Sequence, residues 1–141
     1  MTGKEKAAYL SRYKKLERHL DQKVEELARW RSRAEKVTPP LLGAGDRQTG
    51  DRVAFAVEKI IDIEEEIAAD MAQISGVREG IRAAIAAVDD DVLQTLLYYR
   101  YIDGCTWEQI AARMSYNYRW VLRLHDRALE QVATPGHIDR C

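Results

Sequence analysis

Six β-branched apolar residues, Val53, Ile60, Ile67, Ile74, Ile81 and Val88, stand seven apart without a miss. A repeat of seven returns to the same side of a helix every two turns, so it calls for one long helix with a continuous apolar seam. Val57, Ile63, Met71, Val77 and Ile85 fill the flanking positions. The helix is expected from about Arg52 to Val88, a length on the order of 55 Å at ~1.5 Å per residue. Gly76 and Gly80 lie inside it. Each weakens a helix by ~1 kcal/mol relative to alanine, so they mark a bend or a close approach by another helix.

A seam of that length needs a partner, and residues 4–36 supply one. Tyr13, Leu16, Leu20, Val24, Leu27, Trp30 and Ala34 recur at spacings of three and four, which predicts one amphipathic helix from Lys4 to Lys36. Tyr13, Leu20, Leu27 and Ala34 are themselves seven apart. Between the helices, "VTPPLLGAGDRQTG" carries Pro39, Pro40 and three glycines, which predicts a flexible loop over 37–51. Two long helices joined by a loop fold back on each other, so residues 1–88 are expected to form an antiparallel, coiled-coil-like helical hairpin. Charge agrees. Lys4 to Lys36 holds 11 Lys/Arg against 6 Asp/Glu, and Asp51 to Asp91 holds 4 against 11. The acidic run 62–70 is expected to face solvent or pair with the basic helix, the alternative being a partner-binding surface.

The whole chain carries a net charge of only -1, which argues against a strongly basic, non-specific nucleic-acid binder. Two cysteines, Cys105 and Cys141, form no CxxC and are expected as free thiols in a reducing cytoplasm. No apolar run reaches the ~18–20 residues of a membrane span, and the first residues lack an apolar signal core. No membrane partner is expected.

The last third, residues 89–133, reads as a separate helical module, followed by a flexible tail over 134–141. Asp89 to Asp91 favour a cap, so a helix is expected from near Val92, with Leu93, Leu96, Leu97 and Tyr101 on one face and Gly104 ending it. Thr106 and Gln109 fit a capping box that opens the next helix, with Trp107, Ile110, Ala111 and Met114 as its buried stripe. Ser115 to Asn117 form the turn, and Asn117 caps a final helix from about Tyr118 to Val132. Val121, Leu124, Ala128 and Val132 occupy one side of that helix. Arg119, Arg123, Asp126 and Glu130 fall opposite, with Trp120 and Arg127 at the flanks.

A short helix, a tight turn and a second helix with outward arginines is a helix-turn-helix pattern, in which the second helix enters the DNA major groove. Arg119 and Arg123 are assigned to base edges, because arginine makes two bonds to guanine. Arg127, Asn117 and Tyr118 are assigned to the DNA backbone. Thr106, at the start of the first helix, and Trp120, which could pack on a sugar or a partner protein, complete the candidate set. The bland alternative is a solvated basic face. No catalytic, metal or cofactor site is expected. His19, His125 and His137 are scattered, and "GAGDRQTG" lacks the lysine and hydroxyl of a phosphate loop. His125 stands beside the buried stripe, where it packs or meets a phosphate.

"GCTWEQIAARMSYNYRWVLRLHDRAL" resembles the C-terminal helix-turn-helix of sigma-70 region 4, and more closely that of phage and prophage transcriptional regulators of the RinA/ArpU type. "KAAYLSRYKKLERHLDQKVEELARWRSRAEKVTPP" and "VEKIIDIEEEIAADMAQI" resemble the helical N-terminal part of the same phage proteins, so the likeness spans about residues 4–132. It implies double-stranded DNA as partner, control of phage genes including late ones, and the cytoplasm of a host cell. Arg119 and Trp120 depart from sigma region 4, which has small residues there, and nothing resembles the promoter-melting segments. Two other tasks suit the same pattern. One is DNA packaging, as in small terminase subunits. The other is a helical adaptor that grips host RNA polymerase or another protein. The isoleucine seam also offers a surface for a homodimer.

Overall fold

The computed structural model describes residues 2–37 and 47–134. Every regular element among them is an α-helix, in the order α1 (Gly3–Leu10), α2 (Arg12–Val37), α3 (Arg47–Ala86), α4 (Asp91–Tyr101), α5 (Trp107–Met114) and α6 (Tyr118–Gln131). No helix among the described residues is long and apolar enough to cross a membrane.

The single helix expected over 4–36 is two. At Ser11 the hydroxyl turns back to the Ala7 carbonyl at 2.7 Å, and the Ser11 N–H is shared between the Ala7 and Tyr9 carbonyls. A serine that bonds back in this way competes with the regular ladder. The second long helix begins at Arg47, five residues before the expected start, so 47–51 is helical rather than loop. The loop expectation over 38–46, the tail over 135–141, His137 and Cys141 lie outside the described residues.

The chain divides into two compact units, one of Met1–Leu16 with Ile74–Cys141 and one of Glu17–Gln73. This differs from a division at residues 88 and 89. The last turns of α3 join the C-terminal helices because Ile81, Ile85 and Val88 share one buried cluster with α4, α5 and α6.

In the unit containing the C-terminal helices, Leu10, Ile81, Leu96, Leu97, Ile110 and Val121 are wholly buried. Each such side chain contributes ~1.5–3 kcal/mol on leaving water. The expected stripes of α4 and α6 are all in this core, with Leu129 added. Thr134, placed in a flexible tail by the sequence, is 1% exposed. Gly80 is a close approach, since a Cβ there would stand 3.3 Å from the Tyr9 hydroxyl, whereas Gly76 meets nothing within 4 Å.

In the Glu17–Gln73 unit, Lys23 on α2 bonds Asp70 on α3 at 2.6 Å and reaches Glu66 at 3.8 Å, and Arg31 reaches Glu64 at 3.3 Å. Rising numbers on α2 meet falling numbers on α3, so these stretches run antiparallel. The basic helix does pair with the acidic run. Asp70 stands three residues after Ile67 and four before Ile74, inside the seam, and Lys23 holds the same place between Leu20 and Leu27. The hydrogen bond to Asp70 raises the Lys23 pKa against the opposing pull of desolvation. A polar pair at such a place fixes register. Trp30 sits edge-on to Phe55, with centroids 5.6 Å apart. Val24, Val57 and Met71 were expected in or beside the seam, but they are 48%, 44% and 57% exposed. The narrow contact surface between two helices leaves flanking positions in water.

Candidate nucleic-acid interface

The candidate interface is built from α4 to α6, all within one unit. Asp90 caps α4 by accepting from the Val92 and Leu93 N–H groups. The chain then turns through Gly104 at φ +74, a left-handed geometry that glycine adopts without strain. A side chain there would also displace the end of the Lys14 side chain, its Cβ 2.7 Å from the lysine Cε. The Gly104 turn delivers the chain to Thr106, whose hydroxyl accepts from the Gln109 N–H at 3.2 Å while Gln109 returns the bond at 2.9 Å. The capping box is therefore complete, and Thr106 serves it from an exposed position.

The turn between α5 and α6 is short. Ser115 ends α5 in the left-handed region (φ 58, ψ 38), and the Tyr116 N–H bonds the Ala111 carbonyl at 3.0 Å. Asn117 caps α6, its Oδ1 accepting from the Trp120 N–H at 2.8 Å. The Asn117 side chain is thus committed to the helix end, while Tyr118 beyond it is 43% exposed.

Ile110 on α5 and Val121 on α6 are wholly buried, so the two helices pack through one core. The other face of α6 is polarised. Arg119 and Arg123 on its first turns are exposed, and neither has a protein partner among the described residues. The acids Asp126 and Glu130 lie on the later turns, where α1 sits. Lys6 donates to the Glu130 carbonyl at 3.2 Å, and Gly3 lies against Leu129. Positive charge is thus concentrated at the helix N-terminus, which the backbone dipole reinforces.

Trp120 is half-buried against the core, and the Arg127 guanidinium covers its ring at 5.2 Å. The ridge of three arginines therefore divides. Arg119 and Arg123 are open, while Arg127 is stacked and partly positioned.

His125 does not meet the phosphate alternative. It is hydrogen-bonded to the Tyr101 hydroxyl at 2.6 Å and stands edge-on to Trp107, with centroids 4.6 Å apart. Burial lowers its pKa to about 4, with Arg100 adding to the effect and Asp126 opposing it. Burial likewise raises the Tyr101 pKa to about 12. Sequence reasoning passed over Arg100, which lies 4.2 Å above the Trp107 ring and donates to the Cys105 carbonyl at 3.1 Å. It also passed over Arg113, held by Asp103 at 3.8 Å and by the Tyr99 ring, and over the exposed Tyr116 in the turn. The signal for the first two was aromatic and acidic residues one loop away, which spacing alone does not pair.

No family model, no curated protein and no solved structure matches this chain.

Proposed function

We propose that this protein binds double-stranded DNA sequence-specifically through α5, the turn and α6 as a helix-turn-helix, with α6 as reading helix. The reading extends to a non-enzymatic regulator of phage or prophage genes, late-gene activation included. That setting rests on the resemblance of the sequence alone. The observation that supports DNA binding is the pair Arg119 and Arg123. Both are exposed, without a protein partner among the described residues, and placed on the first turns of a helix whose ends are capped and whose back is buried. Arginines so placed can each give two bonds to a guanine edge. Residues 105–132 carry four arginines against three acids, which assigns affinity to a few contacts rather than to a broad basic surface.

Selection of bound sequences from random duplex DNA tests this. A motif should be enriched with the native chain and lost when Arg119 and Arg123 are both replaced by alanine. Arg123→Ala alone should cost ~1–3 kcal/mol and relax one position of the site. Selection that enriches no motif overturns the reading.

A further inference from the structure

We infer that the Glu17–Gln73 unit is a dimerisation module, which pairs with the same unit of a second copy through an exposed apolar edge. The inference stands independently of DNA binding. The surface is not the face that α3 turns to α2, where Ile63 and Leu27 are left at 5% and 8% exposure.

The edge is located by the Arg31–Glu64 ion pair, which bridges the two helices on one side. Val24 stands seven residues before Arg31 and Met71 seven after Glu64, two helical turns in each case, so they share that side. Both are about half exposed, as are Ile61 and Val57, three and seven residues before Glu64. Large apolar groups gathered at one edge mark an interaction surface rather than ordinary scatter.

Charge identifies the occupant. At this edge α2 presents Arg31 and α3 presents Glu64, opposite charges at one height. A two-fold axis parallel to the helices lays α2 of each copy on α3 of the other. Arg31 then faces Glu64 of the second copy and Val24 faces its Met71, so charge meets opposite charge and apolar meets apolar, as an isologous contact requires. A two-fold across the helices would lay α2 on α2 and, where it crosses at Arg31, set Arg31 on Arg31, which like-charge repulsion disfavours. The face is about 30 Å long and two ~10 Å helices wide. Two such faces bury on the order of 1,200 Å², enough for a specific interface.

Sedimentation of the full chain at micromolar concentration should give a species of twice 16.2 kDa. Val24→Glu with Met71→Glu should yield monomer with unchanged helical circular dichroism, since both side chains already face water. The charge pair separates contact between copies from contact within one. Arg31→Glu and Glu64→Arg should each weaken the dimer by ~10-fold or more. Mixing the two single variants should restore it, because only the mixed dimer matches charges across the interface. A monomeric native chain overturns the inference, as does a dimer indifferent to Val24→Glu with Met71→Glu. A mixture that behaves as its separate components also overturns it.

Discussion

Leu96 and Ile110, in the unit that carries α4 to α6, are fully removed from water; in the Glu17–Gln73 unit the best-covered groups are Ala56, Ile63 and Leu27 at 4–8% exposure. The first unit gathers residues of five helices, α1, α3, α4, α5 and α6, around one apolar centre. The second has two helices, a Lys23–Asp70 pair within its seam and an apolar edge left in water. The same heptad repeat runs through both, along α3 and two residues past its end. Its later members, Ile81 and Val88, are buried, while Ile60 and Ile67 are only half covered. A seam is therefore only as dry as the number of elements that converge on it.

The sharpest way to break this contrast is truncation in each unit. Leu96→Ala should cost ~3–4 kcal/mol in urea unfolding followed by circular dichroism, because the cavity it leaves is walled on all sides. Ile60→Ala should cost only ~1 kcal/mol, in proportion to its partial burial. Equal costs would mean that the two regions are not differently packed. Acidity acts on the first unit through His125. His125 titrates near 6.5 unfolded and about 4 folded, so between those values the unfolded chain takes up a proton that the native chain refuses. This contribution is whole above pH 6.5 and lost as pH falls through 4, a decrease of about 2 kcal/mol once partial access of water is allowed for. Unfolding at pH 7, 5 and 4 should show a smaller drop in His125→Leu than in the native chain; equal slopes would place the ring in water. The smallest of these effects is local. Thr106→Ala should cost about 1 kcal/mol through the lost cap, visible as a lower melting temperature with no change in the oligomer.

Local chemistry made much of the candidate site legible. Thr106 with Gln109, Asn117, Asp90 and Gly104 act on neighbours within a few residues, and each stands where its residue type predicts. The outward placement of Arg119 and Arg123 follows from the helical period alone. What escaped depends on distant parts of the chain. Tyr101 reaches His125 across 24 residues, and Lys6 reaches Glu130 across 124. Period likewise does not determine which neighbour covers a face, so Val24, on the apolar stripe, and Val57 and Met71, at the flank of the seam, stand about half exposed. The break at Ser11 escaped because a serine side chain turning back on its own helix leaves no mark on apolar spacing.

The Lys6–Glu130 contact has a consequence for how the molecule is made. One compact unit is assembled from both flanks of the chain, with 57 intervening residues forming the other. On a ribosome, α1 emerges first and must wait for α6, which closes the longest loop in the fold. Contacts of such sequence separation slow folding. The middle helices can pair while synthesis continues, so the unit that holds α4 to α6 is expected to mature after the Glu17–Gln73 unit.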